Sequence, residues 1–193
     1  MSWYPVLTGR ICYFEVKHVK DKKEQIRNYM EAHREDSGII YCATRKGVDE
    51  LYLYLENLGF SVGRYHAGMG AEVRRREQEE FIYDRTKVMI ATNAFGMGID
   101  KSNVRYVLHF NMPQSMENYY QEAGRAGRDG APAECILYYS PQDTVINRYL
   151  LESKENYREY TEEELRTISH GIWNVCAKWK GTVPQQNVSG DTY

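Results

Sequence analysis

Gln121, Arg125 and Arg128 lie within the run Gln121-Glu122-Ala123-Gly124-Arg125-Ala126-Gly127-Arg128-Asp129-Gly130. If the amphipathic run that begins near Ser115 continues as a helix through them, one face presents an amide and two guanidiniums. Three such groups together suit a polyanion. Arginine is the side chain for phosphate because its rigid fork of N–H donors matches phosphate oxygens and keeps its charge at any relevant pH. Gly124, Ala126 and Gly127 leave the intervening backbone bare. A glycine costs about 1 kcal/mol inside a helix, so their placement beside the arginines implies close approach of a ligand or a neighbouring domain. A solvated basic helix end is the competing reading of the same residues.

A second cluster, Ala91-Thr92-Asn93-Ala94-Phe95-Gly96-Met97-Gly98-Ile99-Asp100, follows the apolar segment Val88-Met89-Ile90. Thr92 and Asn93 can donate to phosphate oxygens, Gly96 and Gly98 allow close backbone approach, and Asp100 can accept from a hydroxyl or hold an arginine. An ordinary strand-to-helix turn with an acidic cap has the same composition. A third set follows two other apolar segments: Thr44-Arg45-Lys46, and His66-Ala67-Gly68-Met69. Hydroxyls and cations there can line a track for a single nucleic-acid strand, although His66 also suits a turn or a core. Arg74-Arg75-Arg76, interleaved with Glu77, Glu79 and Glu80, reads either as a salt-bridged helix surface or as a nucleic-acid contact.

These groups need a scaffold. Strand-like runs rich in β-branched and aromatic residues occur at Ile11 to Val16, Gly38 to Cys42, Ser61 to Tyr65, Val88 to Thr92, Val104 to Phe110 and Ala133 to Tyr139. Helical patterns lie between most of them. From Lys46 to Leu58, the positions Val48, Leu51, Leu55 and Leu58 form one buried stripe, and Gly59 supplies the stop. Strands alternating with helices imply crossover connections and a parallel sheet, whose loops place ligands at the C-terminal edge. Ser140-Pro141-Gln142-Asp143 reads as an N-cap with proline at the first helical position, and Thr161-Glu162-Glu163-Glu164 as a capping box. The expected fold is α/β with a divergent segment over 1–10, the sheet domain over 11–150, and a short helical extension with a loosely ordered tail over 151–193.

Composition excludes several classes. At 42% hydrophobic and 27% charged residues the chain has the balance of an ordinary globular domain, and no apolar run approaches the roughly 18 residues of a membrane span. The first residues, Met1-Ser2-Trp3-Tyr4-Pro5, lack the basic and apolar regions of a secretory signal. A cytoplasmic, intracellular address is expected, compatible with nucleoid association in a bacterial cell. Cys12, Cys42, Cys135 and Cys176 form no C-x-x-C pair, so buried thiols are expected and zinc is not. A net charge of −2 requires any nucleic-acid contact to come from a local patch.

In order, Ile39 to Lys46, Tyr65 to Met69, Ala91 to Asp100 and Gln121 to Gly130 resemble motif IV, the histidine loop that follows it, motif V and motif VI of RecQ helicases in superfamily 2. The resemblance covers residues 13–160. It implies a RecA-like domain that closes over ATP and Mg²⁺ held mainly on a first RecA-like domain, of the same or a parent protein, while both grip single-stranded or forked DNA. By the same resemblance Arg128 is the arginine finger, Arg125 supports nucleotide and interdomain contacts, and Gln121 senses the nucleotide state. Gly98 and Asp100 belong with them on the nucleotide side. Thr44, Arg45, His66, Met69, Thr92 and Asn93 belong on the DNA side. Cycles of closure then move the motor three-prime to five-prime.

The sequence departs from the family pattern in three places. It contains no Gly-x-x-x-x-Gly-Lys-Ser/Thr phosphate loop and no Asp-Glu-x-His box, so the chain alone is expected to be catalytically incomplete. Only Cys176 lies beyond the motor, too few ligands for the family's zinc module. The ends, Met1 to Arg10 and from about Thr167, do not follow the family. A stand-alone nucleic-acid-binding module is therefore a second reading. An RNA helicase domain of the DEAD-box kind is a third, disfavoured because that family usually reads His-Arg-x-Gly-Arg-x-x-Arg where this chain has Gln121-Glu122-Ala123-Gly124.

Overall fold

The computed structural model describes residues 11–96, 99–143, 145–146 and 182–184. Six strands appear where the apolar runs predict them, within two residues at each end: β1 (Ile11–His18), β2 (Ser37–Tyr41), β3 (Val62–Tyr65), β4 (Val88–Ala91), β5 (Val104–His109) and β6 (Ala133–Tyr139). Four helices, α1 (Lys22–Ala32), α2 (Arg45–Asn57), α3 (Ala71–Ile82) and α4 (Met116–Ala123), connect them. The six strands pair in parallel in the order β3-β4-β2-β5-β6-β1. A seventh, β7 (Thr182–Pro184), runs antiparallel along β1. It falls inside the tail expected to be loosely ordered, and it covers backbone groups that β1 would otherwise present as an open edge. The segment 1–10, the capping box at Thr161 and Cys176 lie outside the described residues.

Neighbouring positions on each strand face opposite ways, and helices bury both faces. Ile40, Ile90, Leu108 and Ile136 pack with Ile26 and Met30 of α1 and with Val48, Leu51 and Leu55 of α2. On the opposite face Ile39, Met89, Val107 and Cys135 meet Phe81 of α3 and Tyr119 and Ala123 of α4. Leu58 is a correction to the predicted stripe, since it remains 43% exposed. It is the C-cap, where the chain has already left the helical path. Gly59 then takes φ +81, and the N–H groups of Phe60 and Gly59 return to the carbonyls of Leu55 and Glu56, the paired bonds of a Schellman stop.

The N-terminal edge of the sheet is tied by Asp84, whose carboxylate accepts from Lys101 Nζ at 2.6 Å and from Asn103 Nδ2 and Ser37 Oγ at 3.2 Å. The Lys101 ammonium holds that carboxyl below its ordinary pKa. The edge is thereby fixed away from the loops that carry the candidate chemistry. No helix among the described residues is long and apolar enough to cross a membrane.

Candidate functional site

Because β3, β4 and β2 are parallel neighbours, the loops that follow them open side by side on the C-terminal edge of the sheet. Thr44 is the N-cap of α2, its Oγ1 accepting from Gly47 N–H at 3.0 Å. The hydroxyl keeps its own proton to donate. Exposed Arg45 leans over Gly68, where an added Cβ would stand 3.2 Å from Arg45 Cδ. His66 is buried: Nδ1 accepts from Gly68 N–H at 3.2 Å, so Nε2 carries the proton that it directs at Asp49 Oδ1, 3.3 Å away. These are the contacts of a turn histidine. Met69 is half-buried beside it.

Thr92 is buried and joined to β3 through its N–H, 3.2 Å from the Tyr65 carbonyl, whereas Asn93 is exposed. The arginine triplet divides. Arg75 pairs with Glu72 and Glu79, and Arg76 with Glu77, forming a salt-bridged surface. Arg74 instead lies over the Tyr65 ring, 5.9 Å from its centroid.

The single helical face conditionally expected for Gln121, Arg125 and Arg128 does not form. α4 stops at Ala123, with Gly124 as its C-cap. Gly127 turns to φ +63 and donates its N–H to the Val104 carbonyl at 2.9 Å, a tertiary bond that draws the chain off the helix axis. Gln121 stays exposed on α4, donating to Glu117 Oε1 at 3.2 Å. The two arginines fold back onto the loop after β4 instead. Arg125 Nη1 donates to Gly96 O at 2.6 Å, and Arg128 Nη1 donates to Ile99 O at 3.0 Å. Arg128 also lies 3.7 Å from the carboxylate of Asp100, a side chain 95% exposed. Gly98 lies outside the described residues.

Gly96 makes this seat. Its φ is +133, and a Cβ there would stand 2.1 Å from Arg125 Cζ. Gly96→Ala should therefore lower the unfolding free energy by about 1–3 kcal/mol, the usual cost of a residue held in a sparsely populated backbone region, and unseat Arg125. Urea titration reads the loss. An unchanged midpoint would show that the guanidinium does not depend on this gap.

Sequence reasoning missed the polar groups beneath these loops. Lys22 Nζ donates to Asp143 Oδ1 and to the Phe110 carbonyl, both at 2.7 Å, and Asn111 bridges Asp143 to the N–H of Ala43. Asp143 also accepts from Ser140 N–H at 2.8 Å. His109 and Glu122 form another buried pair at 2.8 Å. A histidine closing the apolar run of β5 was the signal available for that pair. For Lys22 and Asp143, which are 121 positions apart, there was none.

The helicase conserved C-terminal domain family matches residues 21–130. The ATP-dependent DNA helicase RecQ of Bacillus subtilis is 47% identical over 155 residues, covering 80% of this chain and 26% of that protein. RecQ of Haemophilus influenzae is 48% identical over 147 residues, covering 75% and 24%. The chain thus spans about a quarter of the length of these relatives. Among solved structures, a DEAD box protein of Methanococcus jannaschii superposes with a TM-score of 0.63 at 24% identity, over 74% of this chain and 39% of that one, a likeness of fold. By the extent of the domain match and the identity to its relatives, the chain belongs to the helicase conserved C-terminal domain family, with RecQ DNA helicases as its homologues.

Proposed function

We propose that this chain is the C-terminal motor half of a RecQ-like, ATP-dependent, three-prime to five-prime DNA helicase. The observation that carries the reading is the seating of Arg125 and Arg128 on the loop after β4, through Gly96 O and Ile99 O. ATP and its Mg²⁺ would be held mainly on a first RecA-like domain, where the nucleotide supplies the phosphoryl group for transfer. The residues here fit the complementary role. Two guanidiniums held at fixed backbone sites, with Asp100 as a carboxylate beside Arg128, can meet charge on a phosphate without having to be ordered at the moment of reaction.

Thr44, Arg45, Met69, Thr92 and Asn93 would follow the backbone of a single strand, with His66 shaping the turn that presents Met69. Gln121, exposed on α4, would face the nucleotide side together with Gly98 and Asp100. Closure of the two motor domains and their release would then advance the strand.

The test is titration of single-stranded DNA into the chain at two salt concentrations, then ATP turnover with and without a first motor domain supplied in trans. Affinity should fall steeply with salt as counterions released from the DNA reassociate, and turnover should appear only with the added domain. Absence of binding would remove the DNA reading, and turnover by the chain alone would remove the incomplete ATP site. Binding without turnover in either preparation would favour the stand-alone binding module, which the missing phosphate loop leaves open.

A further inference from the structure

Next to the seated arginines lies a closed circuit of contacts. His109, at the end of β5, is fully buried, and Glu122, on the last turn of α4, is 8% exposed. His109 Nε2 and Glu122 Oε2 are 2.8 Å apart, while His109 Nδ1 is buried without a hydrogen-bond partner among the described residues. The ring is therefore best satisfied with its proton on Nε2, donated to the carboxylate; protonating Nδ1 as well would bury a donor with no acceptor.

The imidazole stacks on Tyr41, centroids 5.6 Å apart at 23°. Tyr41 donates its hydroxyl to the Phe95 carbonyl at 3.3 Å. Phe95 precedes Gly96, whose carbonyl accepts from Arg125, and the N–H of Arg125 returns to the carbonyl of Glu122 at 3.3 Å. The circuit thus joins β5, β2, the loop after β4 and the end of α4, and it closes on a guanidinium.

The geometry points to His109 and Glu122 as positioning residues that fix the last turn of α4, and through it set Arg125 and Arg128 on their loop. The functional consequence rests on the proposed roles of those arginines. A packed apolar pair could fill the same space, but the hydrogen bond adds direction to the packing of Tyr119 and Ala123 and so narrows the rotation of α4 about its axis. Misplacement of about 1 Å can cost on the order of 100-fold in rate. The positioning role therefore predicts a loss of kcat with KM for ATP unchanged.

The test compares Glu122→Leu, Glu122→Gln and the double variant His109→Phe/Glu122→Leu. The double variant removes both polar partners together, which preserves stability better than orphaning one. In the chain alone, hydrogen exchange at the Arg125 Nε–H, an atom buried although the residue is only half-buried, is read by NMR. Slow exchange in the parent and in Glu122→Gln, whose amide oxygen still accepts from His109, with at least tenfold faster exchange in the double variant, is the expected result. With a first motor domain in trans, kcat should fall about 10- to 100-fold in the double variant and stay within threefold of the parent in Glu122→Gln.

Unchanged Arg125 protection in the folded double variant, or a double variant whose kcat matches the parent where Arg128→Ala does abolish turnover, would overturn the proposal. Altered protection in a system where Arg128→Ala leaves turnover intact would uphold the positioning and remove only the catalytic reading of the arginines. If Glu122→Leu fails to fold, the other two variants still decide.

Discussion

Arg128→Ala is expected to lower ATP turnover by roughly 10³- to 10⁵-fold when the chain is paired with a first motor domain, and to leave the fold intact. The two halves of this expectation have separate physical causes. In phosphoryl transfer, negative charge spreads over the transferring group, and a donor already held in place stabilises it with little reorganisation. The contacts of Arg128 with the fold include weak ones: hydrogen bonds to Ile99 O at 3.0 Å and to Gly124 O at 3.5 Å, and an ion pair of 3.7 Å to a carboxylate that is 95% exposed. Such a bond contributes about 0.5–1.5 kcal/mol, and an exposed pair less. Arg128→Lys keeps a charge but loses the planar fork, so only part of the turnover should return. Arg125→Ala should behave differently. Its guanidinium is seated more tightly, with a 2.6 Å bond to Gly96 O, so stability and turnover should fall together. Steady-state turnover, with urea unfolding measured in parallel, separates the two. Undiminished turnover in a folded Arg128→Ala would assign the finger elsewhere.

The strands were legible because a sheet buried on both faces requires continuous apolar runs, and Ile39-Ile40 or Val107-Leu108 supplies one residue to each face. The amphipathic stripe of α2 was equally plain, apart from Leu58, because the helix ends within a turn of Leu55. The continuation of α4 was not legible. Whether Gly124 and Gly127 sit in a helix or end one depends on the carbonyl of Val104, a residue of another element, which captures Gly127. The loops could be assigned to one sheet edge from strand direction alone, since parallel strands must end on the same side. What each side chain does in its loop could not be assigned in this way. His66 Nδ1 and Thr44 Oγ1 accept from their own turn and cap, while His66 Nε2 reaches Asp49 on α2, contacts that local patterning permits but does not prescribe. The buried polar pairs were least visible. Lys22 and Asp143 carry no periodicity and meet because β6 runs parallel beside β1, so the segments that follow the two strands leave the sheet together.

That last pair should dominate the stability of the C-terminal edge. Lys22 is 9% exposed and Asp143 is 1% exposed. Removing one partner of a buried ion pair leaves an uncompensated charge, at a cost of about 3–5 kcal/mol, against a total of about 5–15 kcal/mol for a domain. Asp143→Ala is expected to reach that range, because it also orphans the Asn111 amide that holds Ala43 and the N–H of Ser140. Lys22→Met should cost less, since Asp143 would keep the Asn111 amide and the N–H and hydroxyl of Ser140 as donors. The double variant Lys22→Met/Asp143→Leu should recover much of the loss, and the cycle isolates the pair from its neighbours. The effect of pH follows from Lys22. Burial lowers its pKa from 10.5, and Asp143 opposes that shift. A group whose folded pKa lies below its unfolded value binds fewer protons when folded, so its contribution to stability rises with pH between the two values. Without Asp143 the folded pKa drops further and this window widens downward. Asp143→Ala should therefore regain stability relative to the parent as pH rises toward 10.5. Urea unfolding across alkaline pH tests this, and a deficit that stays constant with pH would mean that Lys22 escapes to solvent once its partner is gone.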